Sequence, residues 1–370
     1  MPRRLVAASA AALAATGLLA GPAAAATSNV RLLGEQIVPH LLQFQGTTVG
    51  GLSGIDRDPC TGEYVFISDD RSAVNPARFY TARIPVTSAG LGPVTFTGTR
   101  PFLRPDGTTY PNGGVDPEDI RVDPWTGRYT WSQEGERKPG VLIDPSIRNA
   151  ARDGKFVNEL PLPANEHMSA EDRGPRQNLT LEGLTYAAAG TLVVSSMESP
   201  LIQDGPVATP SQGALSRVTV QTRTGHVLAQ YAYPQEPIFA TPVPPTGSAN
   251  NGVSAMVAVD QFDPTRFLMV ERAFVAGVGN KVRIYEASTV GATNVLNVDS
   301  LATAKNVRPM HKRLIADVAD LKPSTVDNIE GITWGPRLQS GERTLLLVSD
   351  DNFAASQVTQ IVALAVRYPR

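Results

Sequence analysis

The sequence predicts an all-β propeller of four-stranded blades, and three observations carry that prediction. One hairpin pattern occurs five times, its openings fall at 53, 118, 182, 254 and 330, and each of the first four copies is followed by two further strand candidates. The intervals run from 64 residues (118 to 182) to 76 (254 to 330). A long recurring period marks a repeat architecture, and four strands per unit describe a propeller blade.

Taken in order, the first 26 residues stand apart from the rest. Arg3 and Arg4 precede an apolar, alanine-rich run from Leu5 to Ala20, and small residues suited to cleavage follow through Ala26. That is the pattern of a secretory signal peptide, and the run is short for a membrane span. The expected mature domain is 27–370, secreted to the extracellular space, the periplasm or the cell envelope, with no stable membrane insertion. Gly34–Val38 then reads as a lone strand.

In the first repeat, Ser53 opens a strand, Asp58-Pro59-Cys60-Thr61-Gly62 turns the chain, and the return strand ends at Asp69-Asp70. Glu118 and Glu134 bracket the second hairpin, Glu182 and Glu198 the third, each pair 16 positions apart. Ser254 opens the fourth, which returns to Glu271, and Glu330 opens the fifth, which returns to Asp350-Asp351 after a turn enlarged by 336–343. Antiparallel pairing brings both ends of every such hairpin to one edge. The further strand candidates are 78–84 and 94–96 in the first unit, and 216–220 and 227–231 in the third. The last unit has a third strand at 360–366 and then the chain stops, so its fourth is expected from Gly34–Val38, closing the ring between N- and C-terminal strands. Five blades are visible; 200–252 and 275–326 leave room for a degenerate sixth.

Composition excludes several function classes. The 370 residues carry a net charge of −2 and 42% hydrophobic residues, which fits a globular monomer and gives no reason to expect a nucleic-acid partner. Thirty prolines and 32 glycines suit short strands joined by turns. The single Cys60 has no internal disulfide partner, and the four histidines lie outside the repeated pattern, so neither a thiol nucleophile nor a histidine-rich zinc site is indicated. Gly51-Leu52-Ser53-Gly54 is the nearest approach to a serine-hydrolase elbow, and its spacing is wrong. Asn178-Leu179-Thr180 matches a glycosylation acceptor.

Oxygen chemistry is what recurs. Propeller blades place their first strands around the axis, so the opening and closing acids of the hairpins are expected at one mouth of the channel. Converging carboxylates repel unless protons, arginines or a cation intervene, and an all-oxygen ring suits a hard cation such as calcium. Glu118, Glu182, Glu330, Asp70 and Asp350 are the candidate ligands of a divalent cation. Glu198 and Glu271 are the candidate general bases. Arg71, Arg137 and Arg272 each follow a strand-end acid and are candidates for holding an anionic substrate group. Asp58, Asp123 and Asp263, beside Pro or Gly, read instead as turn residues.

Five blocks in this order, Pro117-Glu118-Asp119-Ile120, Leu181-Glu182-Gly183-Leu184, Val270-Glu271-Arg272-Ala273-Phe274, Asp327-Asn328-Ile329-Glu330-Gly331 and Ser349-Asp350-Asp351-Asn352-Phe353, resemble the secreted phytase-like family described by esterase-like activity of phytase. The resemblance implies a propeller hydrolase acting on small-molecule ester or phosphoester bonds with a divalent cation, calcium by analogy with propeller phytases. Ser53 and Ser254 depart from an unbroken ring of glutamates. The other reading of the same residues is a non-enzymatic extracellular binding propeller with a structural calcium ion.

Overall fold

Each hairpin of the sequence forms, and each becomes the inner half of a blade. The computed structural model describes residues 29–368; the expected signal segment, 1–26, lies outside them. The first blade is Leu52–Arg57, Tyr64–Ser68, Arg78–Arg83 and Thr95–Pro101; the second is Pro117–Val122, Tyr129–Gln133, Ser146–Ala150 and Phe156–Leu160. Leu181–Ala187, Leu192–Met197, Ala214–Thr222 and Val227–Gln235 make the third, and Ala249–Ala258, Arg266–Val275, Gly279–Ser288 and His311–Asp317 the fourth. The fifth takes Asn328–Arg337, Arg343–Asp350 and Gln360–Arg367 from the C-terminal end and Asn29–Ile37 from the N-terminal end. Pairing of that last strand is antiparallel, with Arg31 opposite Ala365 and Ile37 opposite Gln360, so the ring closes as expected. Among the described residues 200–252 and 275–326 add no sixth blade; they hold strands of the third and fourth blades and their loops.

The turns form for the reason the sequence suggests. Asp58 accepts hydrogen bonds from the amides of Cys60 and Thr61, Asp123 from those of Trp125 and Thr126, and Asp263 from that of Thr265.

The core lies in wedges between neighbouring blades. Ile67 and Phe79 of the first blade meet Ile120 and Trp131 of the second. Leu346 and Ile361 of the fifth meet Ile55 and Phe66 of the first, so the closing joint is as apolar as the others. Burying one such side chain contributes about 1.5–3 kcal/mol, and every wedge holds several.

At the axis the packing turns polar. Arg121 is buried and spends all five of its N–H groups on fixed acceptors. Nε donates to the Leu184 carbonyl, Nη1 to those of Ile55 (2.8 Å) and Ile332 (2.9 Å), and Nη2 to that of Met256 (2.9 Å) and to Asp119 Oδ2 (2.7 Å). Those four carbonyls belong to the same position, two residues after the opening residue, in each of the other four blades. One guanidinium thus ties all five innermost strands together and blocks the channel.

Candidate functional site

The opening residues reach the axis because every innermost strand is bulged where they sit. The ladder register shifts between Leu52 and Gly54, Pro117 and Ile120, Leu181 and Gly183, Val253 and Ala255, and Ile329 and Gly331. A bulge leaves the extra residue unpaired and re-aims its side chain. Here the skipped residues include Ser53, Glu118, Glu182, Ser254 and Glu330, the five that open the repeats.

Glu118, Glu182 and Glu330 share a single polar cavity of about 220 Å³ at one mouth of the ring. Asp69, Asp116, Glu198 and Asp350 line it with them, against two cations, Arg71 and Arg272. Glu134 lies just behind. Carboxylate oxygens of Asp116, Glu118 and Glu134 fall within 4.8 Å of one another, and so do those of Glu134, Glu182 and Glu198. The two serines do something else: Ser53 Oγ donates to the Glu118 carbonyl (2.7 Å) and Ser254 Oγ to that of Ile329 (2.9 Å), each joining its strand to the next blade.

Two glycines make room for the acids. Gly51 takes φ +61°, a left-handed conformation that leaves space for the Asp69 carboxylate where a Cβ would clash. At Gly252 a Cβ would run into the Glu198 side chain.

Burial and mutual repulsion push the acids toward their protonated forms. Burial raises Glu198 to about 7, with Arg272 opposing and Glu330 adding to the rise. Asp116 also rises to about 7, through burial, with Arg71 opposing and Glu136 adding to it. Burial, then the charges of Glu182 and Asp116, lift Glu118 well above the carboxylate range; Glu182, Glu134, Asp69 and Asp350 rise likewise. Glu330 is raised by burial although Arg272 and Asn328 work against it. Arg272 is itself buried, which alone would lower it, yet the Glu198 and Glu330 charges hold it above its usual range.

The expected site residues divide. Glu118, Glu182, Glu330, Asp350, Glu198, Arg71 and Arg272 come together at this mouth. Arg71 reaches Asp116 (3.4 Å) and Glu136, and Arg272 Nη2 lies 3.1 Å from Glu330 and 3.3 Å from Glu198.

Three expected residues point elsewhere. Asp70 turns back into its own loop, pairs with Arg78 (2.6 Å) and accepts the amides of Ala73, Val74 and Asn75; its neighbour Asp69 faces the mouth instead. Glu271 sits inside a long strand, opposite Val253, and its side chain is held by Tyr233 (2.8 Å), Lys312 (2.5 Å) and Asn251 (3.1 Å). Side chains alternate along a strand, so the next residue, Arg272, takes the mouth. Arg137 donates to the carbonyls of Glu171, Arg173 and Pro175 in an outer loop. Asp116 was not among the expected residues; it lies two positions before Glu118, outside the repeated pattern. Asn178 of the Asn-Leu-Thr triplet also lines the mouth.

An all-oxygen donor set with an excess of negative charge fits a divalent cation. Calcium–oxygen distances of about 2.3–2.6 Å place ligand oxygens up to ~5 Å apart, a span that covers both carboxylate groups.

Compared with known proteins, residues 47–353 match the model of a family described as phytase-like, with esterase-like activity of phytase. No curated protein matches the chain. Among solved structures, the chain is similar to a thermostable family-43 glycoside hydrolase (9% identity, 87% of this chain and 95% of that one, TM-score 0.42). It is also similar to a gluconolactonase from Xanthomonas campestris (12%, 85% and 71%, TM-score 0.36) and to the Dos1 propeller (7%, 85% and 68%, TM-score 0.34). TM-scores this low leave the functional reading to the family match and to the geometry of the mouth.

Proposed function

The chain belongs to the phytase-like family, and on that footing we propose that it is a secreted hydrolase of small-molecule ester or phosphoester bonds that works with a divalent cation, calcium being the natural candidate outside the cell. One observation carries the reading: acids from four of the five blades, the fourth supplying Arg272 instead, converge on one cavity with only two arginines to balance them. At an effective dielectric of about 20, two carboxylates ~4 Å apart repel by about 4 kcal/mol, so the fully ionised cluster needs a counter-charge.

Glu118, Glu182, Glu330 and Asp350 are the proposed holders of the cation, joined by Asp116 and Glu134. A divalent ion there supplies Lewis-acid polarisation of the ester and raises the acidity of water. Glu198, beside Glu134 and Glu182 and paired with Arg272, takes the proton of the attacking water and returns it to the leaving oxygen. Arg272 fixes Glu198 and Glu330 in place through its two ion pairs. Arg71, partly exposed at the rim, steadies the anionic part of the substrate.

The test is a panel of carboxylic and phosphate esters with the purified protein, with calcium and with chelator, alongside metal analysis. Glu330→Gln is expected to lower turnover by about a hundredfold or more while the protein stays folded by circular dichroism. Turnover that survives both chelation and this substitution removes the mechanism. A protein inert toward the whole panel, yet stabilised by calcium, supports the non-enzymatic binding propeller instead.

A further inference from the structure

The other mouth of the ring has the opposite character. Past Arg121, on the side of the hairpin turns, lies a cavity of about 620 Å³, lined by four arginines (57, 121, 337 and 343) and two aspartates (56 and 260). Both aspartates are already engaged: Asp56 accepts from the Val122 amide (2.8 Å) and Thr333 Oγ1 (2.7 Å), and Asp260 from the Phe262 amide (2.8 Å). Among the described residues Arg57, Arg337 and Arg343 have no carboxylate within 4.0 Å. Arg337 and Arg343 face each other across a strand pair, an arrangement of like charges that costs stability unless an anion comes between them. Burial, with the charge of Arg337 beside it, pulls Arg343 down to about 10.

Aromatic rings line the cavity with these cations. Arg343, whose Nη1 donates to the Val259 carbonyl, stacks over Trp334 (3.5 Å from the ring centre), and Trp125 is backed by Arg223 (3.9 Å), which lies outside the cavity and pairs with Asp123 (2.6 Å). Trp125 is 59% exposed and Phe262 68% exposed on the rim. Trp125 Nε1 donates to the Ala189 carbonyl (2.6 Å), and the Ala189 amide donates to the Gln261 carbonyl (2.6 Å), so this part of the rim is a hydrogen-bonded frame that holds the Trp125 ring in place. Exposed aromatic side chains beside arginines that have no carboxylate partner are the components of a site for a ringed anion. The volume matches a drug-sized molecule and far exceeds an inorganic oxyanion.

We propose that this second mouth binds a small aromatic anion, a carboxylate, sulfonate or phosphate on a flat ring, with Arg337, Arg343 and Arg57 taking the charged group and Trp125 and Phe262 the ring. The site is separate from the acidic mouth, since Arg121 with its five hydrogen bonds closes the channel between them.

Calorimetric titration with 2-naphthalenesulfonate tests this without any bond to hydrolyse, so the result is independent of the activity assigned to the acidic mouth. Saturable binding is expected, with sulfate and the neutral 2-naphthylmethanol each weaker by about tenfold or more. Arg337 is exposed and without a carboxylate partner, so Arg337→Glu leaves the fold intact and should weaken the sulfonate by about tenfold; Phe262→Ala should weaken it by a few-fold. Because Trp125 and Trp334 line the cavity, binding should also quench tryptophan emission. No saturable binding, equal binding of sulfate, or affinity lost in Glu330→Gln but kept in Arg337→Glu would each overturn the proposal.

Discussion

The two mouths of this ring are built from the same five innermost strands and carry opposite charge. At one, the bulged opening residues and the strand ends bring in seven acids against two arginines; at the other, the strand tails and turns bring in three arginines, 57, 337 and 343, against two aspartates. The difference comes from position along the strand. A residue in the bulge is swung toward the axis on the first side, while a residue three places later, Arg121, reaches the axis from within the ladder and seals it. Repeat position therefore decides which chemistry a side chain joins, and the residue type then decides whether it binds, neutralises or braces.

The largest expected effect follows from removing the seal. Arg121→Met takes away five hydrogen bonds and leaves Asp119 buried without its cation; the loss of a buried partner of this kind costs about 3–5 kcal/mol. Chemical denaturation should show that loss, and Arg121→Met combined with Asp119→Leu should recover part of it, because no uncompensated charge then remains. A single variant within about 1 kcal/mol of the parent would mean that these five hydrogen bonds do not brace the ring.

Much of this was legible in the sequence. The 16-residue spacing of Glu118 with Glu134 and of Glu182 with Glu198 located the hairpins, and the missing fourth strand of the last unit located the closing strand. What was not legible depends on where the chain goes after a strand ends. Asp69 and Asp70 are adjacent acids, and only the fold of the following loop, with Arg78 brought under it, sends one to the mouth and the other into a turn. Glu271 looks like Glu198 in sequence, but Tyr233 and Lys312, distant in the chain, claim it. Arg121 carried no signal of its own, being one of three charged residues in Pro117–Val122; its five acceptors come from every blade and are visible only once the ring is closed.

A smaller effect is expected from pH and sharpens the contrast in charge. Unfolded, Asp116 and Glu198 release their protons near their ordinary values of 3.8 and 4.5; folded, they keep them to about 7. The folded state therefore binds more protons over that interval, so the stabilisation is complete below about pH 4 and is lost as pH rises through 7. In chelator the thermal midpoint should fall between pH 5 and 8, and calcium should abolish most of the fall by taking the place of the protons. Glu182→Gln should flatten the same curve, raise cation-free stability by about 1 kcal/mol by relieving repulsion among the buried acids, and weaken the response to calcium. A midpoint that rises with pH in chelator would contradict the assignment of this mouth as a cation site.

The smallest effect concerns two residues in the same ring position as the glutamates. Ser254 opens its repeat just as Glu330 opens the next, and both are skipped by the ladder, yet Ser254 Oγ is spent on the Ile329 carbonyl at 2.9 Å. Ser254→Ala removes that donor from a buried acceptor and should cost about 1 kcal/mol, with calcium still shifting the midpoint as in the parent protein. Glu182→Gln should do the reverse, gaining stability without the cation and losing the response to it. If both substitutions instead moved stability in the same direction, the five bulged positions would be equivalent braces of the ring, and the three glutamates would have no claim to a ligand that the two serines lack.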